Sequence, residues 1–172
     1  MWVFGYGSLM WDNWETNHGC IRRVVADLPG YRRRFNKASV RNWGTKAAPC
    51  PTLNLSQFDT GVCRGIAFQF PDAQKMKVLS YLEEREGKAF PLHEVVVWLE
   101  GQSEVSALVP LYNGTNVIEG NTPEELAAMV LAASGTCGTC LFYVNGIADK
   151  LSALGMNDRA VSDLWEAVNN HA

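Results

Sequence analysis

Strand-like runs are gathered in the first two thirds of this chain and helical periodicity dominates the last third, with no regular alternation of strand and helix. A doubly wound parallel sheet needs that alternation, because each parallel crossover carries a helix, so the order of elements points to a mixed α+β domain. Trp2 to Tyr6 reads as a short apolar strand running into glycine. Cys20 to Ala26 and Tyr31 to Asn36 read as two more strands about Pro29-Gly30. Thr52 to Leu55 and Val62 to Phe70 read as a hairpin turned by Asp59-Thr60-Gly61. Leu92 to Leu99 and Val105 to Tyr112 complete the strands, and the run from His93 to Trp98 is too β-branched for a comfortable helix.

Between these strands, Met76, Leu79 and Leu82 fall near one face of a helix that starts with Asp72 as N-cap and stops at Gly87. Thr122-Pro123-Glu124-Glu125 is a helix start, with a hydroxyl at the cap, proline at the first helical position and glutamate three residues after the threonine. Two further helices, Cys140 to Leu154 and Asp158 to Asn169, are separated by Gly155-Met156-Asn157. No repeat or linker divides the 172 residues, so a single domain over 1–172 is expected.

An apolar fraction of 47% against 19% charged excludes a disordered chain. The net charge of -3 offers no general attraction to a polyanion, so a nucleic-acid role would need a local basic patch. The best patch is Arg32-Arg33-Arg34, where alternation sends Arg33 to one face of a strand and its neighbours to the other; a solvated edge or a substrate carboxylate contact fits it better. The opening Met1-Trp2-Val3-Phe4-Gly5 has no export signal, and no apolar run approaches the roughly 20 residues that cross a bilayer, so a soluble cytoplasmic protein is expected. Five irregularly spaced cysteines make a poor disulfide framework and suggest reduced thiols. Cys137-Gly138-Thr139-Cys140 lacks partner ligands for zinc among the scattered His18, His93 and His171, and reads as a turn beside a helix start.

Two segments carry candidate chemistry. In Phe4-Gly5-Tyr6-Gly7-Ser8-Leu9-Met10-Trp11, two glycines at a strand end let the backbone turn sharply and present consecutive N–H groups, which suits a carboxylate. It is not a dinucleotide fingerprint, since Met10 stands where the third glycine belongs. Leu82-Glu83-Glu84-Arg85-Glu86-Gly87 places carboxylates at a helix C-terminus, where the partial negative charge raises the proton affinity of a sheltered acid toward the range useful for acid-base work. Composition alone does not choose among Glu83, Glu84 and Glu86.

Taken in order, FGYGSLMW, LPGYRRRF, CRGIAFQF, YLEEREGKAF with LHEVVVW after it, and SGTCGTCLFYVNGIADKLSALGMND resemble the ChaC-like γ-glutamylcyclotransferases over most of the chain. The resemblance implies a small mixed β-barrel-like sheet flanked by helices, with Tyr6, Gly7, Ser8 and Leu9 gripping a γ-glutamyl group. It implies that Glu86 is catalytic, taking a proton from the substrate α-amine so that this nitrogen attacks its own γ-carbonyl, and then protonating the leaving amine as 5-oxoproline forms. Glutathione is the leading substrate and cysteinylglycine the second product; the alternatives are other γ-glutamyl amines or a non-catalytic γ-glutamyl or amino-acid binding module. Such a reaction needs no metal or other cofactor, because nucleophile and electrophile lie in one molecule. The implied partner is a small molecule, neither nucleic acid nor membrane, bound by a monomer or homodimer. Two departures stand out. Arg41-Asn42-Trp43-Gly44 occupies the place of a common Asp-His-Arg-Gly, making Arg41 a candidate substitute contact, and Phe90 stands where tyrosine is common, which removes a hydroxyl.

Overall fold

The computed structural model describes residues 1–11, 13–101 and 104–171. Five strands close into a barrel: Trp2–Gly5 (β1), Arg22–Ser39 (β2), Cys50–Gln69 (β3), Leu92–Leu99 (β4) and Glu104–Pro110 (β5), in the order β1, β3, β2, β4, β5. β1 runs antiparallel to the end of β3, with Phe4 opposite Ala67, and parallel to β5 at Val3 and Leu108, so the sheet is mixed. β4 meets β2 at Leu99 and Ala26, and pairs antiparallel with β5 from Leu92 opposite Pro110 to Trp98 opposite Glu104. Alternation along β4 is clean: Val97 and Leu99 are buried while Val96 and Trp98 are exposed. Closure gives each strand of the barrel a neighbour on both sides.

β2 and β3 are each one long strand, which corrects the reading of two shorter strands and of a hairpin. Gly30, at φ +77°, is accommodated within β2, where Pro29-Gly30 does not end the strand. Asp59-Thr60-Gly61 lies within β3, and a Cβ on Gly61 would come within 2.8 Å of the Tyr31 carbonyl. Pairing with a neighbouring strand outweighs the turn preference of these residues.

The chain forms two compact units, Met1–Arg32 with Leu55–Gly114, and Arg33–Asn54 with Thr115–Ala172. The first holds β1, β4, β5 and most of β2 and β3, together with the helix Lys75–Glu86 (α1). A single tight turn, Asp72–Gln74, leads into α1, and Asp72 does not cap it. Its carboxylate accepts from the Met1 ammonium at 3.2 Å instead. Val78 and Leu82 are the buried residues of α1, whereas Met76, placed near the apolar face by its spacing, is 77% exposed. Gly87 does stop the helix, at φ +75°, with its N–H donating to the Glu83 carbonyl at 3.0 Å.

The second unit contains the helices Pro123–Ala132 (α2), Cys140–Ala153 (α3) and Arg159–His171 (α4), and a short hairpin of Ser134–Gly135 (β6) and Gly138–Thr139 (β7). α2 begins with the expected capping box, Thr122 and Glu125 exchanging bonds with each other's backbone N–H. The exposed Glu124 carboxyl is held below its ordinary range by its own backbone N–H and then by the Thr122 hydroxyl. Thr139 caps α3, its hydroxyl accepting from the Phe142 N–H at 3.1 Å. Cys50, at the start of β3, is joined to Cys140 by a disulfide, and both are fully buried. The expectation of five reduced thiols is thus wrong for this pair, because the fold brings together residues separated by 90 positions. Arg33 is likewise no solvated edge residue: its buried guanidinium donates to Asp158 at 2.9 Å, while Arg32 lies over the Phe58 ring and Arg34 is exposed. Asp158 also accepts from the Val161 N–H at 3.3 Å, so one carboxylate serves both the first turn of α4 and the buried cation.

Candidate active site

The loop after β1 owes its course to backbone packed against backbone. A Cβ on Gly65 would lie 2.4 Å from the Gly5 carbonyl, and one on Gly5 would lie 3.1 Å from the Phe68 ring and 3.2 Å from Leu9. The chain leaves the barrel there and folds into a single turn, Ser8–Met10. The Met10 N–H donates to the Gly7 carbonyl at 2.9 Å and the Trp11 N–H to Ser8 at 3.3 Å, so those two donors are spent within the turn. Tyr6 is buried, and its hydroxyl donates to the Pro110 carbonyl at the end of β5 at 3.0 Å. Gly7 and Leu9 are buried, and Ser8 is partly exposed. Trp14 braces the loop from outside it, its indole Nε1 donating to the Leu9 carbonyl at 2.9 Å.

The last turn of α1 faces this loop. Arg85 Nη2 lies 3.4 Å from the Ser8 hydroxyl, Nη1 lies 2.9 Å from the Tyr81 hydroxyl, and Nε lies 3.3 Å from Glu86 Oε1. Tyr81 stacks on Trp14 with ring centroids 5.4 Å apart and planes 11° from parallel, and His18 lies 4.2 Å away on centroids. The acidic cluster divides by exposure: Glu83 and Glu84 are exposed, whereas the Glu86 side chain is only 15% exposed. Glu83 and Glu84 line an open cleft of about 900 Å³ with Leu79, Gly87 and Phe90.

Of the residues singled out from the sequence, Tyr6, Gly7, Ser8, Leu9 and Glu86 thus lie in the first unit, with Arg85 bridging Ser8 and Glu86. Arg41 belongs to the second unit. Its side chain is exposed, and its carbonyl accepts from the Thr136 N–H at 2.9 Å, next to an Asn42 carbonyl that accepts from Cys137 at 2.7 Å. Phe90 packs against Tyr112 with centroids 5.0 Å apart. Arg85 and Tyr81 are site residues that the motifs do not mark; their spacing of four is the available signal. Among the described residues, no three of His, Cys, Asp and Glu cluster in a way that would hold a metal ion.

The chain as a whole is similar to known proteins. Residues 1–171 match the family described as ChaC-like protein, and the chain belongs to that family. It is 28% identical to γ-glutamylcyclotransferase 2-3 of Arabidopsis thaliana, covering 99% of this chain and 89% of that protein. It is 30% identical to the glutathione-specific γ-glutamylcyclotransferase of Escherichia coli K12, covering 98% and 72%. The counterpart of that name in Schizosaccharomyces pombe is 27% identical, covering 94% and 87%. The crystal structure of a γ-glutamyl cyclotransferase specific to glutathione from yeast superposes with a TM-score of 0.89 at 22% identity, over 99% of this chain and 96% of that one. The fold is therefore the γ-glutamylcyclotransferase-like α+β fold that the sequence motifs implied. No helix among the described residues is long and apolar enough to cross a membrane.

Proposed function

We propose that this chain is a γ-glutamylcyclotransferase that converts glutathione to 5-oxoproline and cysteinylglycine, with Glu86 as the acid-base residue. The observation that carries the reading is the sheltered Glu86 carboxylate linked through Arg85 to Ser8 of the glycine loop, while the other two acids of the cluster are exposed. The names of the Schizosaccharomyces pombe and Escherichia coli relatives, both glutathione-specific γ-glutamylcyclotransferases, support the substrate.

In this reading the backbone N–H groups of Gly7, Ser8 and Leu9 receive the α-carboxylate of the γ-glutamyl group. Tyr6, anchored by its own hydroxyl, shapes the floor beneath it. Glu86 takes a proton from the α-ammonium, and the freed amine attacks the γ-carbonyl to close the five-membered lactam. The carboxylic acid gives that proton to the departing nitrogen, and the second proton, shed by the ring nitrogen as the lactam forms, follows the same route, so the amine leaves as its ammonium and Glu86 ends ionised as it began. Binding supplies the folded substrate conformation, which is the main entropic hurdle of an intramolecular attack. Both units together are taken as one domain, in line with a family match that spans 1–171.

The test is product analysis: purified protein incubated with glutathione, and separately with several γ-glutamyl amino acids and amines, is assayed for 5-oxoproline. Release from glutathione supports the reading. Release from another γ-glutamyl compound only would reassign the substrate, and thermal stabilisation by glutathione with no release from any compound would make the chain a binding protein.

A further inference from the structure

We infer that Arg85 is a positioning residue for this reaction: its guanidinium clamps the glycine loop and the Glu86 carboxylate to the same end of α1, fixing the base relative to the group it must deprotonate. The inference rests on the cyclotransferase reading above.

Each nitrogen of the guanidinium has its own partner: Nη1 the Tyr81 hydroxyl at 2.9 Å, Nη2 the Ser8 hydroxyl at 3.4 Å, and Nε the Glu86 carboxylate at 3.3 Å. A planar fork with fixed donor directions holds three partners at once, which an ammonium on a flexible stem does not reproduce. The clamp has a second side. Trp14 donates to the Leu9 carbonyl and stacks on Tyr81, so the path from Ser8 through Leu9, Trp14, Tyr81 and Arg85 returns to Ser8 as a closed ring of contacts. Glu86 is the last residue of α1, where helices fray and a carboxylate has several rotamers open to it. Tying it to a loop held by the barrel restricts both freedoms. The Arg85 and Glu86 side chains are 17% and 15% exposed, so solvent screens their contact only in part.

The experiment uses the full chain and the variants Arg85→Lys, Arg85→Ala, Ser8→Ala and Ser8→Ala/Arg85→Lys. In 5-oxoproline release from glutathione, Arg85→Lys should lose at least about tenfold in kcat while KM changes by less than about threefold, because a misplaced base costs rate more than binding. Arg85→Ala should lose about 100-fold, and millimolar guanidinium ion should restore part of that loss. A kcat for Arg85→Lys within about twofold of the unmodified chain, or an Arg85→Ala loss that guanidinium leaves untouched, would overturn the inference. Thermal unfolding of the unmodified chain, Ser8→Ala, Arg85→Lys and Ser8→Ala/Arg85→Lys closes a double-mutant cycle that needs no substrate. Non-additive Ser8 and Arg85 effects are expected, and additive ones refute the clamp whatever the enzyme does. Non-additive effects in a protein that releases no 5-oxoproline would sink the cyclotransferase reading and leave the clamp standing.

Discussion

The indole nitrogen of Trp14 donates to the backbone carbonyl of Leu9, and the same ring lies flat against Tyr81. A buried tryptophan thus connects the loop after β1 with the helix that carries Glu86. Trp14→Phe keeps much of the stacking surface but leaves the Leu9 carbonyl without this donor. It should lower stability by about 1–3 kcal/mol in urea denaturation, and raise KM for glutathione, as the loop loosens.

Asp158 serves Arg33 and the start of α4 together. Asp158→Ala removes the carboxylate from a guanidinium whose side chain is 1% exposed. A loss of about 3–5 kcal/mol in chemical denaturation is expected, well above the roughly 1 kcal/mol of a lost cap alone. Asp158→Asn should fall between, because the amide retains an acceptor for the Val161 N–H and lacks the charge.

The disulfide makes a numerical prediction. Of the five cysteines, Cys50 and Cys140 are joined in the disulfide and Cys20, Cys63 and Cys137 lie outside it as thiols, so thiol titration in denaturant should count three before reduction and five after it. Cys50→Ser/Cys140→Ser should be less stable by about 2–4 kcal/mol, since the bond closes a long loop in the unfolded chain. Five thiols before reduction, under non-reducing purification, would contradict the pairing.

The free thiols should differ in reactivity. Burial raises the Cys20 thiol above its ordinary range, outweighing the backbone hydrogen bond from Arg22, which acts in the lowering direction. It stays protonated to higher pH, and only the thiolate alkylates, whereas Cys137 is exposed. Mass spectrometry of iodoacetamide-treated protein near neutral pH should find Cys137 modified first. The linked effect on stability has a definite sign. A folded-state pKa above the unfolded value contributes stability that is present below the unfolded value and is lost as pH rises through the folded one.

Local chemistry was legible in the sequence where the structure is itself local. The Thr122 capping box, the stop at Gly87 and the alternation of Arg32, Arg33 and Arg34 each depend on residues within a few positions, and all are found as read. The barrel strands were located, but β2 and β3 were cut at Pro29-Gly30 and Asp59-Thr60-Gly61, because those residues favour turns until a neighbouring strand holds them extended. Asp72 was misread as a cap for a similar reason: its partner is the ammonium of Met1, 71 positions away. The bond between Cys50 and Cys140 could not be read from spacing at all. At the candidate site, the glycine loop and Glu86 were named from motif and resemblance, whereas Arg85 was passed over. Its adjacency to Glu86 is visible in the sequence; the direction of its contacts is not.

The whole account requires that the acid at the end of α1 move a proton for a substrate held by the loop after β1. The most direct measurement compares Glu86→Gln with the unmodified chain for glutathione-dependent thermal stabilisation and for 5-oxoproline release in parallel. The prediction is a folded variant that glutathione still stabilises but that turns over at least about 100-fold more slowly, since an amide keeps the shape and cannot accept the proton. Release at the unmodified rate would contradict it.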